Sequence, residues 1–85
     1  VGPYLGVGVD PRPDGPYAAH VDDKGPGKRA GVKEGDRLLA WNGAPIADAN
    51  AWNDLLSKCK PGDKVELTVE RKGKKLKLTL TLGST

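Results

Sequence analysis

The clearest pattern lies at the C-terminal end. Val65, Leu67 and Val69 alternate with Glu66, Thr68 and Glu70, and Leu76, Leu78, Leu80 and Leu82 alternate with Lys77, Thr79 and Thr81. Period two over both arms, with Lys72-Gly73 between them, predicts a hairpin with one buried face. Its outer face would set Glu66 and Glu70 near Lys75 and Lys77, each pair contributing about 0.2–1 kcal/mol. Upstream the period changes. Trp52, Leu55, Leu56 and Cys59 fall at i, i+3, i+4 and i+7, which predicts an amphipathic helix from Asp48 to Cys59. Asp48 suits its N-cap, Lys58 and Lys60 suit its last turn, and Pro61-Gly62 would end it.

Shorter signals precede these. Arg37 to Trp41 reads as a strand between the turns Gly35-Asp36 and Asn42-Gly43, and Lys28 to Gly31 as a single helical turn stopped by Gly31. Tyr17 to Val21 reads as a strand with Tyr17, Ala19 and Val21 facing inward. Pro11 to Pro16 is a block of turn residues. Leu5, Val7 and Val9 alternate with Gly6 and Gly8, a strand whose glycines imply that something approaches its backbone closely. The expected order is strand, strand, helical turn, strand, long helix and hairpin. The helix would cover one edge or end of an antiparallel sheet.

Composition narrows this to one small domain. The chain has 85 residues, 12 glycines and 7 prolines, and a net charge of +3 that is too small to hold it open. Residues 1–82 are expected to form the domain and Gly83-Ser84-Thr85 a linker or tail. A site between two domains is excluded. No apolar run approaches the ~20 residues of a membrane span, and there is no basic-then-apolar leader, so targeting information is expected to be absent or to belong to a longer parent. Cys59 and His20 are single, so neither an internal disulfide nor a Cys/His zinc site can form; no metal or cofactor is expected.

Three chemical readings are weak. His20, Asp22, Asp23 and Ser57 are not arranged as base, orienter and nucleophile, so catalysis is not expected. Gly6-Val7-Gly8 lacks the third glycine of a dinucleotide fingerprint, and Gly25-Pro26-Gly27-Lys28 lacks the Ser or Thr of a phosphate loop. Residues 1–42 are electrically neutral, and the excess lies in Arg71-Lys72-Gly73-Lys74-Lys75-Leu76-Lys77. That run could bind nucleic acid or an anionic surface, but platforms for nucleic acid stack bases on aromatic side chains and the run contains none. A solvated hairpin is the better reading, with no nucleic acid as partner.

Four segments in register resemble the bacterial, circularly permuted PDZ domain. Tyr4-Leu5-Gly6-Val7 is similar to its carboxylate-binding loop, and the run from Gly25-Pro26-Gly27 through Ala30-Gly31-Val32 to Gly35-Asp36 is similar to its central run. Asn42-Gly43 follows, then Lys60-Pro61-Gly62-Asp63 and Val69-Glu70-Arg71-Lys72-Gly73-Lys74. The resemblance covers residues 3–82. It departs from the family where Gly27, rather than Ala, follows Pro26, and where Pro3, rather than a basic residue, precedes the loop.

The resemblance implies a mainly β fold: a partly open antiparallel β-barrel of five to six strands, capped by one long helix and one short helical turn. It implies a monomeric, non-catalytic module that binds extended peptides or C-termini with an apolar last residue. Tyr4, Leu5, Gly6, Val7, Gly8 and Val9 would form the loop and the edge that receives the peptide as a strand. The helix would line the pocket with Trp52, Leu56 and Cys59, leaving Leu55 toward the core, or in the other rotation with Ala51, Leu55 and Lys58. Trp52 is equally open to a purely core role. Cys59 is expected to act as a small apolar side chain. The partner would be a protein C-terminus or a parent protease domain, and the parent an extracytoplasmic protease, membrane-associated if of the site-2 type. The alternatives are a structural domain without a free peptide ligand, or weak binding of an anionic surface or nucleic acid through the basic hairpin at 71–77.

Overall fold

The computed structural model describes residues 3–84. Val1 and Gly2, at the start of the expected domain, and Thr85 of the expected tail lie outside the described residues. The elements are β1 (Pro3–Tyr4), β2 (Val7–Arg12), β3 (Gly15–Val21), α1 (Pro26–Ala30), β4 (Arg37–Trp41), β5 (Ala44–Pro45), α2 (Ala49–Ser57), β6 (Lys64–Arg71), β7 (Lys74–Thr81) and β8 (Gly83–Ser84). An open antiparallel sheet runs in the order β2-β3-β4-β6-β7, with β5 beside β4, and β1 pairs with β8 in a two-stranded sheet. The mainly β, partly open architecture is the expected one.

The hairpin forms as its period demands. Val65, Leu67 and Val69 are buried against Leu80 and Leu82, and Lys72 and Gly73 both take positive φ (52° and 78°), as a two-residue hairpin turn requires. Register corrects the expected ion pairs. Glu70 stands opposite Lys75 but Lys77 stands opposite Thr68, and Glu70 approaches Arg37 instead, at 3.8 Å.

Two bulges reset the inward face of neighbouring strands. Gly8 pairs with His20 and Val9 with Ala18, so Ala19 is the extra residue of β3. Ala18 is therefore buried and Ala19, expected inside, is exposed, while Val21 returns to the core. In β4 the extra residue is Leu39, which lets both Leu38 and Trp41 face inward. The turn block also proves shorter than its composition suggests: β2 runs through Pro11 to Arg12, with Pro11 opposite Pro16. An edge strand tolerates proline because its outward N–H has no ladder bond to lose. Gly83 and Ser84, expected as a tail, pair with Tyr4 and Pro3.

The helix is shorter than predicted. Asp48 caps it by accepting from the Ala51 amide at 2.8 Å, but it ends at Ser57 with Lys58 as its C-cap, so neither Lys58 nor Lys60 lies in its last turn. Pro61-Gly62 belongs to the following turn. Trp52 packs edge-on against Trp41, with ring centroids 5.1 Å apart, and is 1% exposed.

Ions hold the other side together. The Asp36 carboxylate, 1% exposed, accepts from Arg71 Nε (2.8 Å) and Nη2 (2.6 Å) and from the Lys33 amide (3.0 Å). Arg71 Nη2 also donates to the Gly31 carbonyl, which closes α1, at 2.8 Å. Desolvation would raise the Asp36 carboxyl, but the Arg71 and Lys33 hydrogen bonds and the Arg71 charge together hold it below the usual carboxylate range.

Because the folded carboxyl is the stronger acid, its contribution is complete above the unfolded value of about 3.9 and is lost as pH falls through the lower folded value. Asp36→Ala is expected to cost about 2–3 kcal/mol in urea melts at neutral pH. The difference from the parent chain should shrink below about pH 4. An equal deficit at pH 3 and pH 7 would overturn this assignment.

Candidate functional site

Leu5 and Gly6 break the chain between β1 and β2. Gly6 has φ +78°, and a Cβ there would lie 3.0 Å from the Gly25 Cα and 3.2 Å from the Tyr4 hydroxyl. Only glycine fits, for conformation and for space. The Leu5 carbonyl accepts from the Gly27 amide at 2.9 Å and the Gly6 carbonyl from the Asp22 amide at 2.7 Å. Among the described residues, no backbone acceptor outside the ladders is matched to the amides of Leu5, Gly6 or Val7. The bend thus spends its carbonyls on the fold and leaves its amides without a backbone acceptor there, an arrangement suited to an anion.

The strand that follows is an edge. β2 borders the sheet, and Val7 pairs with Val21. The bond from Asp22 N to Gly6 O makes this a non-hydrogen-bonded pair, so the N–H and C=O of Val7 point away from β3. An extended chain could add there.

Side chains fix the bend. The Tyr4 hydroxyl donates to Asp22 Oδ2, and the Lys24 amide donates to Asp22 Oδ1 at 3.3 Å. The Tyr4 hydrogen bond chiefly holds the Asp22 carboxyl below its ordinary range, and the same contact raises the Tyr4 phenol. Sequence reasoning set Asp22 aside because it forms no catalytic arrangement with His20 and Ser57. Nothing in its neighbourhood along the chain identifies a partner 18 residues away.

The expected site residues divide by location. Leu5 is 2% exposed and contributes its side chain to the core and its backbone to the bend. Val7 and Val9 are half-buried and Gly8 is exposed. On α2, Trp52 is a core residue, which corrects its placement in a groove-facing row. Ala51, Leu55 and Leu56 are half-buried beside it and pack on the core, and Lys58 is exposed. Cys59 lies beyond the helix end. Its Sγ donates to the Leu55 carbonyl at 3.4 Å, and burial, with the Asp63 charge, pushes its thiol up.

The departure at Gly27 has a structural cause. A Cβ there would fall 2.6 Å from Val7 Cγ2. Val7 occupies the space an alanine methyl would take.

Known proteins share the sequence and the fold of this chain. The sequence profile of the PDZ domain matches residues 3–82. A DegP-like periplasmic serine endoprotease of Ectopseudomonas mendocina is 39% identical over 77 residues, which are 91% of this chain and 16% of that protein. A DegP-like counterpart from Halomonas elongata is 37% identical over 89% of the chain. The chain thus spans about one sixth of the curated relatives it matches. Among solved structures, the HtrA-type protease AlgW with a decapeptide superposes at a TM-score of 0.90 and 26% identity, over 96% of this chain and 29% of that one. The HtrA3 PDZ domain with a phage-derived ligand (FGRWV) shares the fold at a TM-score of 0.82 and 21% identity, over 94% of this chain and 84% of that one.

Gly27→Ala is expected to destabilise the domain by about 1–3 kcal/mol through overpacking. Val7→Ala in the same chain should recover most of that loss, a coupling read from a double-mutant cycle of urea melts. Strict additivity would show that the two side chains do not share the space. Trp52→Ala is expected to cost about 3–5 kcal/mol, and Leu56→Ala about 1 kcal/mol because part of its surface is already in water. Equal losses would return Trp52 to the groove.

Proposed function

Since this chain belongs to the PDZ domain family, we propose that it binds extended peptides ending in an apolar residue by adding them as a strand to β2. One observation carries the reading: the open edge at Val7 begins at a bend whose amides have no backbone acceptor outside the ladders among the described residues. A terminal carboxylate at Leu5–Val7 leaves the peptide running antiparallel to β2. Its last side chain then sits between Val7 and Val9 and the half-buried face of α2, where Ala51, Leu55 and Leu56 supply apolar surface. Tyr4, held by Asp22, fixes the bend rather than contacting the carboxylate. No step of this requires a catalytic group, and the PDZ domain itself is non-catalytic.

We read the module as a substrate-recruiting or regulatory domain of a larger bacterial protease. The DegP-like relatives support this, and their periplasmic naming places the chain with extracytoplasmic proteins. The peptide-bound AlgW and HtrA3 structures support the ligand class. The basic hairpin is a poorer candidate, since Arg71 is already engaged by Asp36 and the Gly31 carbonyl.

Amide shifts on titration with a short valine-terminated peptide are expected at residues 5–9 and 51–56, and should vanish when the peptide C-terminus is amidated. Leu55→Glu or Leu56→Glu should weaken binding about tenfold or more, equivalent to about 1.4 kcal/mol. Shifts confined to residues 71–77 would overturn the proposal.

A further inference from the structure

The sheet has a second border. β7 pairs with β6 and ends the strand order. The Leu82 amide donates to the Asp63 carbonyl at 2.9 Å, and Lys64 stands opposite Thr81. That bond makes Lys64–Thr81 a non-hydrogen-bonded pair, so the N–H and C=O of Lys75, Lys77, Thr79 and Thr81 point away from β6. Among the described residues, no backbone partner meets these groups at Thr79 or Thr81.

A cleft of about 430 Å³ runs along this border. Pro26, Arg29 and Ala30 of α1 form one wall, and residues 79–83 form the other. Five consecutive residues of alternating orientation can all line a cleft only if it follows the strand's edge rather than one face. An edge strand with outward backbone groups beside a helix is the same physical arrangement that β2 makes with α2.

The charge along this border selects its occupant. The Arg29 guanidinium donates to the Lys24 carbonyl at 3.4 Å, and no ion pair engages it among the described residues. Lys75 and Lys77 are exposed along the same border, and no carboxylate lines the cleft. A second copy of the chain would bring its own Lys75 and Lys77 to the seam, where like charges oppose pairing. We propose that the β7 edge and α1 form a second strand-acceptor groove, which takes an extended acidic segment of a partner protein. It needs no free C-terminus, and it does not depend on the reading of β2.

The test is an amide-shift titration of this chain with a doubly capped eight-residue peptide alternating glutamate and valine. A counterpart with lysine for glutamate serves as control. Saturable shifts are expected at residues 26–30 and 75–83, unchanged when a valine-terminated peptide occupies β2. Arg29→Glu, an exposed substitution, should weaken the acidic peptide about tenfold or more. N-methylation of the peptide amides on one edge should abolish its binding, which separates strand addition from charge attraction alone. Any of four results would overturn the proposal. These are shifts at residues 5–9 and 51–56 instead, an equal response to the lysine peptide, doubling of the chain's mass in sedimentation, and no shift at millimolar peptide.

Discussion

The buried carboxylate of Asp36 is the constraint from which the other contacts follow. Its ties to Arg71 and to the Lys33 amide join a turn to a hairpin 35 residues further on. Through Arg71 the tie reaches the Gly31 carbonyl and fixes the end of α1. Gly27 of α1 then donates to Leu5, so the bend before β2 is linked through α1 to that charge pair. A small core leaves little excess apolar burial to hold such a chain of contacts. A satisfied buried ion pair fixes one arrangement, and removing either partner strands a charge.

The same economy shapes both borders of the sheet. The sheet stops at β2 and β7 instead of closing, which leaves two rows of outward backbone groups. Such edges invite aggregation unless something blunts them. β2 is blunted by Pro11 and by the bend at Gly6, and β7 by exposed lysines and by α1. Beside β7 the cleft is walled by α1, and beside β2 the sheet edge faces the half-buried side chains of α2 only as the proposed reading has it. On the proposed readings, protection against indiscriminate pairing and readiness for selective pairing come from the same residues.

Particular elements show where sequence and structure part. The hairpin, the Asp48 cap and the turn at Lys72-Gly73 follow from local pattern because each depends on residues a few positions apart. Helix length did not. Lys58, Cys59 and Lys60 continue the apolar and basic spacing, but the chain leaves the helix at Ser57 to reach the turn before β6. Ala19 misled the period-two reading because a bulge is visible only when the partner strand is known. Trp52 was open to groove or core by spacing, and its packing on Trp41 decided for the core.

By itself, then, the sequence determined what short-range physics controls: alternation, caps, turn conformations, and the order of motifs that resembles the PDZ domain. Arg71 shows the limit. In sequence it opens a run of cations and looks like surface charge. In the fold it is neutralised by a buried carboxylate, so the positive border begins beyond it. Likewise Asp22 becomes Tyr4's anchor, Gly27 becomes room for Val7, and Gly83-Ser84 becomes a strand. Each of those roles belongs to a pair of residues distant in the chain. Only tertiary structure chooses such partners, because burial makes an unpartnered charge, an empty space or an unpaired backbone group costly once the chain has closed around it.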